Sequence, residues 1–418
     1  MSPKLVSLFG MAVMIFLAWL CSLNRKIFPW RTVLWGLGLQ LLFALFILKT
    51  AMGRAIFDLA QRAVLKLNDM AMQGAGMVFG PLANEGLLKE SFGPANAPIF
   101  AILISATIIV VSSLSSLFYH WGILQRVVHA AAWVMRRAMG TSGSETLATA
   151  ANIFIGQTEA PLLIKPYIAR MTLSELLALM IGGMATIAGG VLAVYSEFGR
   201  KAGFPDMAGH LIAASVMSAP AALMISKIIL PETEPSETAS EAPMKIERAT
   251  TNSIDALCRG AADGLQLALN VMAMLIAFVA VVALVNFLID YLLRPFEIHL
   301  TLQRVFGWVN APIAWLMGIP AKDCLAVGQV LGERIVLNEL LGYLSLTQLR
   351  SGLDERSFIL ATYALCGFAN FGSVAIQIGG IGALAPDRRA DLARLGIRAM
   401  IGGLLACYLT ATVVGLLI

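Results

Sequence analysis

Residues 147–168 read LATAANIFIGQTEAPLLIKPYI, in which two apolar runs flank a polar tip, Gly156-Gln157-Thr158-Glu159. The runs, Leu147–Ile155 and Ala160–Ile168, are far shorter than the roughly 20 residues that a helix needs to cross a bilayer. Irregular backbone at membrane depth is tolerated only where protein buries it or a water-filled cavity surrounds it. This stretch therefore predicts a re-entrant hairpin inside a membrane protein.

The composition of the whole chain also indicates a polytopic membrane protein. Of 418 residues, 58% are hydrophobic and 13% are charged, against about 45–50% apolar and about 25% charged in a typical soluble domain. So little charge excludes a set of soluble domains, disorder, collagen and coiled coil. The net charge of +5 comes from basic residues in short loops, so no nucleic-acid partner is predicted. The five scattered cysteines argue against disulfides and a zinc site.

The chain before this hairpin is predicted to cross the membrane three times. Apolar runs predict spans at 5–23, 32–49 and 98–119. A signal peptide is the alternative for 5–23, but this run is longer than the roughly 7–15 residues of a signal-peptide core, which favours a span. Charge spacing predicts amphipathic helices in the membrane interface at 53–70 and at about 122–138. A Gly/Pro-rich linker is expected from Gly74 to Pro98.

The chain after the hairpin contains a second interrupted segment. Spans are predicted at 174–195, 206–229, 357–381 and 396–417, together with a long tilted helix at 255–293. A Pro- and Glu-rich loop at 231–249 separates the two halves. Two short segments, 322–334 and 338–349, predict a second hairpin, whose facing ends carry Gly332-Glu333-Arg334 and Asn338-Glu339.

The two halves repeat one pattern, a broken hairpin with a glutamate followed by a span with a small, polar centre. Ala185–Val191 and Ala369–Val374 occupy corresponding places. Paired interrupted segments of this kind point to the binding site of a transporter.

Glu159 and Glu339 are the first candidate site residues, because a carboxylate at bilayer depth is costly and usually functional. For Glu159, the alternative is a helix cap or an ion pair with Lys165 or Arg170. Glu339 beside Asn338 suits the binding of vicinal hydroxyls, since both side chains can accept O–H donors. The alternative is a structural pair of Glu339 or Glu333 with Arg334.

Polar residues in the two matching spans form a second set of candidates. Asn370 and Ser373 are three residues apart, and so share one helix face, while Thr186 lies at the matching point of the first half. These side chains could instead join helices. Phe368 is either a core residue or a packing surface for a planar ring.

Three motifs in order resemble concentrative nucleoside transporters. Gly156-Gln157-Thr158-Glu159-Ala160-Pro161 resembles the first hairpin signature of that family, and Gly332-x-Arg334-x-x-x-Asn338-Glu339 resembles the second. Cys366–Ser373 resembles the broken seventh span. The family lysine is Arg334 here, and the family's Phe-Val-Ala is Leu340-Leu341-Gly342, followed by Tyr343.

The resemblance implies a nucleoside site and a sodium site. Contacts to the nucleobase are implied for Gln157, Thr158 and Glu159, a base pocket for Val191 and Phe368, and contacts to ribose hydroxyls for Glu339, Asn370 and Ser373. Sodium ligands are implied from the side chains of Asn152, Thr158 and Thr186 and the carbonyls of Ile155 and Ile187. Such hard oxygen ligands suit an alkali cation. The hydroxyl of Thr186 favours sodium over proton coupling.

The resemblance also implies an all-α polytopic membrane protein with about eight transmembrane helices, two re-entrant hairpins, interfacial helices and an inverted-repeat core. A homotrimer in the plasma membrane, or the inner membrane of a bacterium, is implied. The expected divisions are a scaffold at 1–52, 97–140 and 251–295, an interfacial helix at 53–72, an acidic loop at 230–250, and a transport domain at 142–229 and 308–418.

The predicted function is sodium-coupled import of nucleosides such as uridine and adenosine, by elevator-type movement of the transport domain. A proton-coupled nucleoside or nucleobase transporter of the same fold is the alternative. An intramembrane enzyme using Glu159 and Glu339 is disfavoured, because the chain has no HExxH, paired catalytic aspartate motif or Ser/His pair. A channel is disfavoured by the symmetric broken hairpins.

Overall fold

The computed structural model describes residues 2–92, 99–238, 250–297 and 300–418, and this part of the chain is helical without strands. The first group of helices comprises α1 (Pro3–Leu20), α2 (Trp30–Lys49), α3 (Ala51–Phe79), α4 (Glu85–Phe92), α5 (Phe100–His120) and α6 (Ile123–Met139). Of these, α1, α2 and α5 are long and apolar enough to cross a membrane. The predicted Gly/Pro-rich linker ends at Pro98, which lies outside the described residues.

The second group contains the first hairpin and the two spans that follow it. Its helices are α7 (Gly143–Ala151), α8 (Lys165–Ile168), α9 (Leu173–Ala185), α10 (Gly189–Lys201) and α11 (Met207–Ile229), with a 3₁₀ segment at Ala160–Ile164. The hairpin therefore has one helical arm, α7, and one arm of 3₁₀ and single-turn structure. Pro161 and Pro166 lie in the second arm, and each removes a backbone donor that a regular helix would use.

The third group contains a long helix, the second hairpin and two further spans. Its helices are α12 (Ser253–Leu293), α13 (Leu302–Leu316), α14 (Ala321–Val336), α15 (Glu339–Gln348), α16 (Glu355–Leu365), α17 (Phe371–Leu384) and α18 (Arg389–Leu417). Most of the predicted loop at 231–249 falls outside the described residues. Within those residues, seven helical segments are long and apolar enough to span a membrane, and the α16–α17 pair supplies a broken eighth. The predicted all-α polytopic class is confirmed.

One predicted boundary is wrong, two predicted spans are interrupted, and one helix was not predicted. The linker does not begin at Gly74, because α3 continues to Phe79 and packs Ala71 and Ala75 in one cluster with residues of α5. The spans predicted at 174–195 and 357–381 are present, and each consists of two helices with an extended break. The break in the second span is the one that the resemblance implies at Cys366–Ser373. No helix is predicted from the sequence where α13 lies, a segment that contains Pro312. The structure keeps this proline inside the helix.

Close packing on α14 explains why α13 forms despite its proline. A side-chain carbon built on Gly328 would lie 2.6 Å from the carbonyl oxygen of Gly307, so the two backbones touch at these glycines. Packing of this kind can outweigh the lost hydrogen bond of a proline.

The inner helices carry the site, and the outer helices face away from it. In the 18-residue apolar stretch of each segment, 83% of the residues are buried in Leu173–Lys201 and 89% in α11. The corresponding shares are 28% in α1 and 6% in Val279–Phe296. The second hairpin and the α16–α17 pair pack within the same large core cluster as α9 and α11. The interrupted segments thus lie in the protein interior, where irregular backbone can be satisfied.

The breaks in the two spans meet at the centre of this interior. Gly367 has φ +154°, and a side-chain carbon built there would lie 2.6 Å from the Met184 carbonyl oxygen at the end of α9. Cys407 of α18 donates its thiol to the Cys366 carbonyl at 3.1 Å and to the Ala185 carbonyl at 3.6 Å. One side chain therefore contacts the free carbonyls of both breaks.

The base of the first hairpin is tied to α11 by buried polar contacts. Lys227 Nζ lies 2.7 Å from Glu145 Oε2 at the start of α7. The backbone N–H of Ser142 donates to Glu145 Oε1 at 2.8 Å, which completes the helix cap. The Gly143 N–H donates to the Thr238 carbonyl at 2.8 Å. These contacts anchor the base of the hairpin to α11 and to the segment at Thr238.

Candidate functional site

Glu339 is the centre of a buried polar cluster at the tip of the second hairpin. Its side chain is 6% exposed. Tyr195 of α10 donates its hydroxyl to Oε1 at 2.8 Å, and Asn370 donates its amide N–H to Oε2 at 3.0 Å. Residues from the second hairpin, the second half of the first broken span and the start of α17 therefore converge on one carboxylate.

Two asparagines fix the helix starts beside this carboxylate. Asn338 Oδ1 accepts from the Leu341 N–H at 3.0 Å and caps α15. Asn370 Oδ1 accepts from the Ser373 N–H at 2.8 Å and caps α17. Helix N-termini carry a partial positive charge. These two ends therefore stabilise the negative charge of Glu339, which belongs to the first turn of α15.

A second polar chain joins the tip of the first hairpin to α17. Gln157 donates its amide N–H to Ser373 Oγ at 3.1 Å. Gln377 donates to Gln157 Oε1 at 3.0 Å and to the Met180 carbonyl at 3.0 Å. The structure thus brings Gln157 together with Ser373, as the two implied subsites require.

Glu159 holds the turn at the tip of the first hairpin. Its Oε2 accepts from the Gly156 N–H at 2.5 Å. Arg170 pairs with Glu237 instead, at 2.9 Å, and Glu159 has no ion pair among the described residues. Neither alternative is therefore observed among the described residues, because the carboxylate accepts from the turn residue Gly156 and does not cap the 3₁₀ segment that follows. Thr158 and Glu159 are exposed, so the tip presents them outward from the packed core.

Val191 and Phe368 lie on the two broken spans but differ in burial. Val191 is 5% exposed and sits one helical turn before Tyr195 on α10. Phe368 is half-buried within the break between α16 and α17, and its carbonyl accepts from the Asn370 N–H at 2.9 Å. Each residue is therefore near a member of the Glu339 cluster along the chain, Val191 near Tyr195 and Phe368 near Asn370.

Arg334 donates hydrogen bonds to the break between α16 and α17. It does not form the ion pair with Glu333 or Glu339 that was the alternative from the sequence. Its fully buried guanidinium donates to the carbonyls of Ala364 and Gly367, the latter at 3.2 Å, and to Cys407 Sγ at 3.2 Å. Within the described part of the chain it has no salt bridge to Glu333 or Glu339. The guanidinium therefore satisfies carbonyls that the break leaves without helical partners.

Tyr343 supports the same region from the second hairpin. It donates its hydroxyl to the Thr362 carbonyl at 2.8 Å, and its ring stacks on Tyr195 with centroids 4.4 Å apart. The stack fixes the ring of Tyr195, whose hydroxyl reaches Glu339.

Asn152 and Thr186 lie where the first hairpin meets the first break. Gly189 N–H donates to the Phe154 carbonyl at 3.3 Å, which joins the two segments. Asn152 is 1% exposed, and its Oδ1 is buried without a hydrogen-bond partner among the described residues. A buried acceptor without a donor fits a bound cation. Thr186 is also buried, and its hydroxyl donates to the Gly182 carbonyl at 2.9 Å, which leaves its oxygen lone pairs for an ion.

The other three implied sodium ligands differ in how far they are buried. Ile187 is buried, Ile155 is half-buried and Thr158 is exposed. No group of three or more His, Cys, Asp or Glu side chains able to hold a metal occurs in the ranges that the structure covers. The oxygens near Asn152 and Thr186 therefore suit an alkali cation better than a transition metal.

Sequence reasoning missed two members of the polar network, Tyr195 and Gln377. Gln377 lies one turn after Ser373 in an apolar helix, and this i, i+4 spacing could have identified it. Tyr195 lies in an apolar run of α10 and looks like a core residue. Its partner is 144 positions away, so no local pattern marks it.

Family models match three parts of the chain. Residues 9–82 match the N-terminal model of the Na⁺ dependent nucleoside transporters, and residues 210–415 match the C-terminal model. Residues 101–201 match a gate domain described as nucleoside recognition.

Individual proteins are similar over nearly the whole chain. An uncharacterised transporter of Haemophilus influenzae is 42% identical over 99% of this chain and 98% of its own length. Sodium/nucleoside cotransporter 1 of Rattus norvegicus is 40% identical over 99% of this chain, which spans 64% of that protein. The transporter CNTnw, solved in an inward-facing substrate-bound state, is 37% identical with a TM-score of 0.92, covering 99% of this chain and 97% of that one. A variant of CNTnw solved in an outward-facing state is 37% identical with a TM-score of 0.91, again covering 99% and 97%.

Proposed function

This chain belongs to the sodium-dependent nucleoside transporter family, and we propose that it is a secondary active transporter that imports nucleosides on a sodium gradient. It is a multi-pass membrane protein and a transporter rather than an enzyme. Alternating access follows the elevator type, in keeping with the inward-facing and outward-facing structures of CNTnw.

The buried carboxylate of Glu339 is the observation that carries this proposal. Its two oxygens already accept from Tyr195 and Asn370, and the remaining lone pairs are acceptors that suit the hydroxyls of a ribose. Asn370 and Ser373 complete the ribose subsite. A carboxylate held by neutral donors and helix ends binds a neutral polyol without requiring a charged substrate.

The nucleobase binds at the tip of the first hairpin. Gln157, Thr158 and Glu159 supply amide, hydroxyl and carboxylate groups for its polar edge. Val191 and Phe368 line its faces. Support for this placement comes from the Gln157–Ser373 hydrogen bond at 3.1 Å, which puts the base subsite next to the ribose subsite.

The moving body comprises the most buried helices. The transport domain consists of 142–229 and 308–418, and the scaffold consists of 1–52, 97–140 and 251–295, with the interfacial helix at 53–72 and the loop at 230–250 outside both. The scaffold assembles as a homotrimer. Large apolar side chains exposed on α12, including Val279, Leu284 and Phe287, offer surface for this assembly and for lipid.

Sodium is carried with the nucleoside. It binds between Asn152, Thr158, Thr186 and the carbonyls of Ile155 and Ile187. Asn152 belongs to the segment of the hairpin that leads to Gln157, so the ion orders the segment that contacts the base. Each ligand therefore raises the affinity of the other by the same factor.

Uptake of labelled uridine and adenosine into proteoliposomes tests the function. We expect accumulation above the equilibrium level when sodium is higher outside, and its loss when the gradient is collapsed. Accumulation driven by a proton gradient alone would replace sodium by protons as the coupling ion. An absence of uptake under both gradients would contradict nucleoside transport.

Replacement of Asn152 by Leu is expected to remove most of the sodium dependence of uridine binding. The substitution deletes the buried Oδ1, and the sodium concentration for half-maximal binding should rise on the order of tenfold or more, since one good ligand interaction is worth at least about 1.4 kcal/mol. Uridine binding to purified protein across a sodium titration provides the measurement. The exposed Asn270→Leu on α12 is the matched control. An unchanged sodium titration in Asn152→Leu would remove this residue from the ion site.

A further inference from the structure

An open, strongly basic cavity lies between the start of α2 and the end of α6, and none of the proposed nucleoside-site residues lines it. Its volume is about 290 Å³. The lining consists of Arg31, Trp133, Arg136, Arg137, Gly140 and Thr141. The transport mechanism uses none of these residues.

The cavity has three guanidinium groups and no carboxylate. The sequence contains no Asp or Glu between Glu90 and Glu145. No acidic side chain of the described residues forms a salt bridge with Arg31, Arg136 or Arg137. Arg31 is held in place by donating to the carbonyls of Ala138 at 3.2 Å and Arg137 at 3.0 Å. The guanidinium of Arg31 is therefore held in place, and no carboxylate of the described residues pairs with the three charges, which leaves them available to an anion.

The surroundings of the cavity are those of a membrane interface. Trp30 and Leu34, on either side of Arg31 in α2, are 66% and 64% exposed. Trp133 and Val134 of α6 are 54% and 41% exposed. Tryptophans at the level of lipid headgroups, with apolar side chains beside them, mark where a span leaves the hydrocarbon. An anion bound here would be flanked by surface suited to acyl chains.

We propose that this cavity binds the headgroup phosphate of an acidic phospholipid. The arginines contact the phosphate, Trp133 lies at the glycerol level, and the acyl chains run along the exposed apolar residues of α2. Lipid is favoured over a soluble phosphate because apolar side chains adjoin the arginines. Basic pockets beside transmembrane helices commonly bind anionic headgroups.

The location connects lipid binding to the first hairpin. Trp133 and Arg136 also line a narrow gap of about 30 Å³ against Gly143, Thr146 and Leu147 of α7. A lipid on the outer side of these two residues therefore packs at the junction of the interfacial helix and the hairpin base.

Native mass spectrometry of the detergent-purified full chain tests the proposal. The probes are phosphatidylglycerol, phosphatidylcholine with the same acyl chains, glycerol 3-phosphate and inorganic phosphate. We expect phosphatidylglycerol to bind more tightly than the other three. In the double variant Arg136→Gln/Arg137→Gln, its affinity should fall about thirtyfold, since each of the two arginines near the headgroup contributes about 1 kcal/mol.

The control is Arg126→Gln, which removes one charge from the same helix outside the cavity lining, and the single variant Arg137→Gln covers the case that the double variant misfolds. Unchanged phosphatidylglycerol affinity in the arginine variants would overturn the proposal, as would an equal loss in Arg126→Gln and Arg137→Gln. Equal affinity for phosphatidylcholine would also overturn it. Equal affinity for inorganic phosphate or glycerol 3-phosphate would replace the lipid by a soluble anion.

Discussion

Replacement of Glu339 by Gln is expected to weaken uridine binding about a hundredfold, since hydrogen bonds to a charged group contribute about 1.5–3 kcal/mol each. The new amide has a single acceptor oxygen, and Asn370 cannot reverse its role because its own oxygen caps α17. The side-chain oxygen of the new glutamine must therefore face the amide N–H of Asn370. Its N–H₂ group then faces Tyr195, whose hydroxyl can turn and accept. The buried polar groups around position 339 keep their hydrogen-bond partners, so we expect the protein to remain folded. The ribose loses its charged acceptor.

Isothermal titration of purified protein with uridine in saturating sodium measures this loss. The matched control is Glu333→Gln, which makes the same change on the same hairpin at a half-buried position outside the cluster. We expect Glu333→Gln to bind uridine within a few fold of the original protein. Original affinity in a folded Glu339→Gln would remove this carboxylate from the site.

Replacement of Arg334 by Met is expected to lower the free energy of unfolding by about 2–6 kcal/mol, because two buried carbonyls lose their donor and each unsatisfied buried group costs about 1–3 kcal/mol. The change leaves the carbonyls of Ala364 and Gly367 without their donor at the break in the α16–α17 span. Arg334→Lys keeps the charge but loses the planar fork, so it should recover only part of the loss. The nucleoside transporter signature has lysine at this position, which makes the comparison informative.

Thermal unfolding of the purified protein in detergent, followed by tryptophan fluorescence, measures the stability of both variants. The exposed Arg126→Met on α6 serves as the control for loss of a positive charge. We expect the order Arg126→Met, Arg334→Lys, Arg334→Met from highest to lowest midpoint. A midpoint for Arg334→Met equal to that of the control would show that the break does not need this guanidinium.

The sequence could reveal Glu159 and Glu339 because a carboxylate inside a short apolar run is costly and therefore conspicuous. Two uncharged members of the polar network around the hairpin tips are harder to find from the sequence. Tyr195 resembles an ordinary core aromatic until the fold places it against Glu339. Gln377 carries no charge, so it stands out less in the apolar run of α17.

Backbone details were predicted less well than the order of elements. The polar centres of two spans were found, but hydropathy cannot distinguish a polar patch on a continuous helix from a break. The breaks depend on contacts between segments far apart in sequence, such as Cys407 with the carbonyls of Ala185 and Cys366. Helix α13 is not predicted from the sequence, and it forms because packing on α14 outweighs the hydrogen bond that Pro312 removes.

The side-chain amide of Asn370 is locked at both ends. Its oxygen accepts from the Ser373 N–H and its nitrogen donates to Glu339, so turning it over would break both bonds. Its neighbour Glu339 can only accept. In the ribose subsite proposed here, a sugar is therefore expected to approach with its hydroxyl protons aimed at the carboxylate. Fluorine is close in size to a hydroxyl but carries no proton, so the pocket should distinguish a fluorinated sugar from ribose by the direction of a proton rather than by shape.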